Sequence, residues 1–138
     1  MLFSGSNYED EYSNSEITLL ASAARTATTA TAAQTNTTGR GLILYVDITA
    51  RAASTTLTPS LQTKDPVGGE WITIWTAAAA LNSSNTTVAY SFYPSPSADA
   101  ANLYTEAVDL LLPRTWRINV VHSDANGVTY SLAACVVR

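Results

Sequence analysis

At 138 residues and 14.6 kDa the chain is sized for one domain whose core needs no disulfide or metal staple. Charged residues make up 13% of it, about half the usual ~25%, and the net charge is −4. That balance, with Lys64 the single lysine, excludes the basic stripe a phosphate backbone requires, so no nucleic-acid partner is expected.

Residues 1–16 differ from the rest. Tyr8, Glu9, Asp10, Glu11 and Tyr12 form an acidic, aperiodic stretch that reads as a flexible arm when the protein is alone, and as a candidate partner contact through its tyrosines. The plainer alternative is a frayed terminus. The start lacks the basic residues and apolar run of a signal peptide. No stretch approaches the ~18 apolar residues of a membrane span, so no membrane partner is expected. The expected setting is a cytoplasm, or a larger assembly built there.

Residues 17–138 read as one β-domain. From Ile17 to Ala33, threonines interleaved with alanines favour two strands, or one bent strand, over a helix. Asn36–Gly41 is a turn whose two glycines permit positive φ. Leu42–Thr49 is the clearest strand, with Leu42, Leu44, Val46 and Ile48 on one face. In the strand over 54–63, Pro59 cannot donate to a ladder, which predicts an edge position or a bulge there. Lys64–Gly69 is a strong turn. Trp71–Trp75 then returns as a strand, with both tryptophans and Thr73 on one face and Ile72 and Ile74 on a core face.

Thr76–Leu81 reads as a helical turn or a crossing loop, and Asn82–Asn85 as loop. Thr86–Tyr93 is a strand carrying Val88, Tyr90 and Phe92 inward. Pro94 and Pro96 end it, and 98–104 is a loop or short helix. Thr105–Leu112 is a further strand. Trp116, Ile118, Val120 and His122 share a face of the next. Asn126-Gly127 suits a turn with positive φ, and Val128, Tyr130, Leu132, Ala134 and Val136 line one side of the last strand. Eight or nine short strands without a useful amphipathic helix predict an all-β antiparallel sandwich, jelly-roll-like or alternatively immunoglobulin-like.

Little chemistry is encoded. His122, the only histidine, stands two residues before Asp124, but no Gly-x-Ser-x-Gly elbow supplies a nucleophile. It reads as a structural hydrogen-bonder. One His and one Cys exclude a zinc site built from those residues alone, no calcium-loop spacing occurs, and no cofactor is expected. Cys135, which has no cysteine to pair with, reads as a small hydrophobe. No enzyme is expected. The remaining candidates are Trp71 and Trp75, for an interface or a sugar, and Arg114 and Arg117, which flank Trp116 and suit stacking on a ring or pairing with Asp109.

Leu112-Pro113-Arg114-Thr115-Trp116-Arg117, a short His/Asp loop, and Thr129-Tyr130-Ser131 together resemble a family of small proteins from the head modules of tailed bacteriophages. Similar pieces run in order: Arg25-Thr26-Ala27-Thr28, Gly41–Thr49, Thr58-Pro59-Ser60-Leu61, Lys64-Asp65-Pro66 and Tyr93-Pro94. The likeness lapses over 78–104 and in the acidic arm. It implies a virion structural protein that decorates or cements the capsid exterior. Its partners would be the major capsid protein and further copies of itself, as a homo-trimer or homo-dimer, assembled in the host cytoplasm. It carries over a role and no site residues. The alternative is a carbohydrate- or receptor-binding module of a fibre or adhesin.

Overall fold

A computed structural model describes residues 14–94 and 105–138, and these are all-β. The strands are β1 (Ser15–Arg25), β2 (Thr29–Ala30), β3 (Gln34–Thr35), β4 (Gly41–Arg51), β5 (Leu57–Lys64), β6 (Trp71–Thr76), β7 (Thr86–Tyr93), β8 (Thr105–Asp109), β9 (Thr115–His122) and β10 (Val128–Val137). One sheet has the order β1-β10-β4-β7-β8, the other β2-β9-β5-β6, with β3 also on β9.

The pairing is nested. β1 pairs with β10, β2 and β3 with β9, β4 with β7, and β5 with β6, all antiparallel. If β2 and β3 count as one interrupted strand and β8 is set aside, outermost pairs with outermost and innermost with innermost. This is the wrapping of a jelly roll rather than an immunoglobulin sandwich. Of the two readings for 17–33, the two-strand one holds, with the strands in different sheets: β1 begins at Ser15 in the first and β2 lies in the second.

The core lies between the sheets, as alternation requires. Leu42, Leu44, Val46 and Ile48 meet Val88, Tyr90 and Phe92 along the first sheet, with the even-numbered residues of β10 beside them. Leu57, Leu61, Trp75, Trp116, Ile118 and Val120 come from the second. Fully burying each such aliphatic side chain stabilises by about 1.5–3 kcal/mol.

Four local expectations change. β5 is central, between β9 and β6, so Pro59 is not on an edge. Its carbonyl accepts from Ala77 N (2.9 Å), one residue past the end of β6. Nitrogen and carbonyl of one strand residue face the same side, so the missing donor falls where β6 leaves the ladder. The bulge lies instead opposite Leu61/Gln62: Leu61 faces Trp75 and Gln62 faces Thr73, leaving Ile74 as the extra residue.

Gly39 and Gly41 do not use positive φ, which among the described residues occurs only at Gly69 (78°) and Asn85 (51°). They permit close approach. A Cβ on Gly39 would strike the Val136 side chain, and one on Gly41 the Phe92 carbonyl. Asn126-Gly127 likewise avoids positive φ. Asp124 Oδ1 accepts from Asn126 N (2.8 Å) and shapes that turn. The 64–69 turn forms as expected, with Asp65 Oδ1 accepting from Val67 N (2.9 Å).

The strand expected over 105–112 stops at Asp109 and runs parallel to β7. The loop or short helix expected at 98–104 lies outside the described residues. Of the stretch expected as a helical turn or crossing loop, Thr76 still belongs to β6, and 77–81 is loop whose Leu81 bridges Leu57.

Candidate functional site

The bulge at Ile74 decides what the tryptophans do. It reverses alternation between them, so Trp71 and Trp75 occupy opposite faces of β6 rather than one. Trp75 turns into the core, 8% exposed, edge-on to Tyr90 (5.0 Å) and Phe92 (4.7 Å). Trp71 stays outside, half-buried. Ile72, expected in the core, is 51% exposed at the rim, and Ile74 packs only partly against the core.

Trp71 is already engaged. The Arg117 guanidinium lies 4.2 Å from its ring centroid and Lys64 Nζ 5.8 Å. Arg117 Nε also donates to Gln62 Oε1 (2.7 Å), and Gln62 Nε2 donates to Thr73 Oγ1 (3.1 Å). Of the two roles expected for the flanking arginines, Arg117 takes ring stacking. The other proposed contacts, Tyr8, Glu9, Asp10, Glu11 and Tyr12, lie outside the described residues.

Sequence reading missed the outer face of the first sheet. Register sets Cys135, Ile43, Ser91 and Ala107 in one row across β10, β4, β7 and β8, and Ala133, Tyr45 and Ala89 in the next. Three charges lie on this face: Glu16 and Asp109 on the outer strands β1 and β8, and Asp47 on the central strand β4, two residues from Tyr45. Around Tyr45, which is 39% exposed, β10 and β7 contribute the small, uncharged Ala133, Cys135, Ala89 and Ser91. Beside Tyr45 runs a shallow depression of about 430 Å³, bordered by Glu16, Thr18 and Ala133. The signal was present in the alternation of β4 and β10, but which strands lie side by side is not local information.

A second concavity, about 190 Å³, opens at the end of the sandwich where β1 starts and β10 finishes. Gln34, Thr35, Asn36, Trp116 and Arg138 line it. Asn36 is committed to the turn, donating to Gly39 O (2.8 Å) and Leu112 O (3.1 Å). Arg138 Nη2 donates to Ser15 Oγ (2.8 Å). The space suits a few waters or one side chain.

His122 is not the hydrogen-bonder expected. Its backbone N donates to Thr28 Oγ1 (3.1 Å), but both ring nitrogens are buried without a partner. Alternation on β9 aims the ring between the sheets, where it lies 5.9 Å from the Tyr130 ring. Asp124 is engaged elsewhere, accepting from Thr55 Oγ1 (2.7 Å). No His–Asp couple forms. No group of three or more His, Cys, Asp or Glu suited to a metal occurs among the described residues. Cys135 is half-buried and unpaired. No described helix is long and apolar enough to cross a membrane.

No protein-family model matches the chain, and no match was found among curated proteins or solved structures.

Proposed function

We propose that the chain is a virion structural protein that decorates or cements a bacteriophage capsid, meeting the shell through the outer face of its β1-β10-β4-β7-β8 sheet. The observation that carries this reading is the set of small, uncharged residues that β10 and β7 place around exposed Tyr45, with the one nearby charge on β4, Asp47, accepting from Thr87 Oγ1 (3.0 Å). Such a surface loses little by desolvation when covered, and it approaches another flat surface closely. The ordered likeness to head-module proteins supplies the identity of the partner, the major capsid protein.

The sheet edges support face-on rather than edge-on association. β1 carries two register shifts, and Arg25 donates to Ala21 O (2.8 Å) and Ala23 O (3.2 Å) beside the edge. Bulges and charged side chains of this kind discourage strand addition. A shell protein binding many identical sites needs only a modest single contact, and it stabilises whichever lattice it prefers. The carbohydrate reading loses support, because Arg117 occupies a face of Trp71 on which a sugar ring would stack and Trp75 is in the core.

Mature capsids stripped of the protein should rebind it to a fixed copy number and gain heat resistance. Tyr45→Asp combined with Ala133→Glu should abolish rebinding while the free protein keeps its fold. Failure of the parent protein to rebind would sink the role. Undiminished rebinding by the charged variant would sink this choice of surface.

A further inference from the structure

The end of the sandwich opposite the Arg138 cavity holds a buried polar cluster. His122 is 9% exposed on β9, and Tyr130, on β10 of the facing sheet, is 0% exposed. Neither ring nitrogen of His122 closes a hydrogen bond, and the Tyr130 hydroxyl, itself short of a well-formed one, has only the Thr29 side chain of β2 beside it. The two rings lie 5.9 Å apart, joining the sheets. Buried polar atoms normally find partners, so two orphan nitrogens on one ring between the sheets require an explanation.

Each packed element presents a definable group to this histidine. β1 brings Arg25, whose guanidinium lies 4.7 Å from the Tyr130 ring centroid and whose Nη1 donates to Tyr130 O (2.7 Å). β10 brings the Tyr130 phenol. β5 brings Leu57, directly opposite, with no charge. β2 carries no titratable residue. The turn after β9 brings Asp124, already held by Thr55 (2.7 Å) and Asn126 N (2.8 Å). Arg51, at the end of β4, spends its Nη1 on the carbonyls of Ala52, Ala53 and Thr55.

A neutral imidazole is tolerable there. An imidazolium is much less so, because burial strips its hydration, no protein acceptor lies within reach of either ring nitrogen, and it faces Arg25. We propose that His122 is an acid-operated latch. Neutral, it closes this end of the sandwich between β9 and β10. Protonated, it leaves the interior, frees the Arg25–Thr29 crossover that His122 N ties through Thr28, and opens the end of the roll.

Burial, the largest influence, holds the His122 imidazole below its ordinary 6.5, with Arg25 acting in the same direction and Asp124 opposing. The unfolded chain therefore binds the proton first as pH falls. Stability is complete above about pH 6.5 and is lost progressively from there down to the lower folded value. Asp124 titrates in a separate, more acidic window, since Thr55 and then Asn126 hold its carboxyl below 3.8.

With a single histidine, the imidazole resonance of the full-length protein is unambiguous by NMR. It should titrate below 6.5. Amide protection factors over residues 25–30 and 120–128 should fall at least tenfold as it does, while those of Leu44 and Leu132 hold. His122→Phe, which fills the space without ionising, should lose this acid response. Titration at or above 6.5, or protection factors over 25–30 that ignore the protonation, would overturn the latch. A response retained in His122→Phe would do the same.

Discussion

Glycines show how much a single residue can mean in this fold. Gly41 lies under the Phe92 carbonyl, where backbone cannot easily yield, whereas a Cβ on Gly127 meets nothing within 4 Å. Neither residue uses positive φ. Gly41→Ala should therefore lower the melting temperature markedly, by several degrees or more. Gly127→Ala should leave it unchanged or raise it, through about 0.4–1 kcal/mol of lost unfolded-state entropy. Calorimetry of the pair checks this, and equal effects would contradict the placement of Gly41. From sequence, both glycines look alike: each follows a polar turn and precedes a strand. What separates them is a neighbour fifty residues away in sequence for one, and open space for the other.

β6 shows how one element can be readable in its position and misread in its facing. Its limits, Trp71–Thr76, follow from aromatic and β-branched residues after a Gly-Gly turn. Its facing depends on one extra residue, Ile74, and a bulge leaves no signature in a six-residue string. The consequence is measurable. Trp75→Ala should cost about 3–5 kcal/mol, as for other buried large aromatics. Trp71→Ala should cost about 0.5–1 kcal/mol, the scale of an exposed cation–π contact. Chemical denaturation gives both numbers. If the two variants lose equal stability, the tryptophans share a face after all. Pro59 makes the same point: the missing donor was legible, but the Ala77 contact that renders it harmless in a central strand was not.

At the scale of the whole molecule, nesting sets the kinetics. Among the described strand pairs, only β5–β6 is closed by a short turn. β1–β10 joins the two ends of the domain, with partners such as Ser15 and Val136. Contacts of such separation cost loop entropy before they stabilise anything, which places folding in the range of milliseconds to seconds. The innermost hairpin is expected to form first. Asp65→Ala, which removes the bond that shapes its turn, should slow folding with little effect on unfolding. Leu132→Ala, on a strand that closes late, should chiefly speed unfolding. Stopped-flow chevrons separate the two, and the reverse assignment would contradict this order.

Local sequence by itself determined the class of this protein and most of its inward faces. Strict alternation in β4, β7, β9 and β10 names the core residues, because side-chain direction in a strand has a fixed period of two. It also marked the Asp65 turn. Only the tertiary structure decided the jelly-roll order, the parallel β8, the reversal at Ile74 and the lack of a hydrogen bond between His122 and Asp124. Each of these depends on which distant strand lies alongside. The face of small residues around Tyr45 has the same origin. Its residues come from four strands, and no one of them shows it alone.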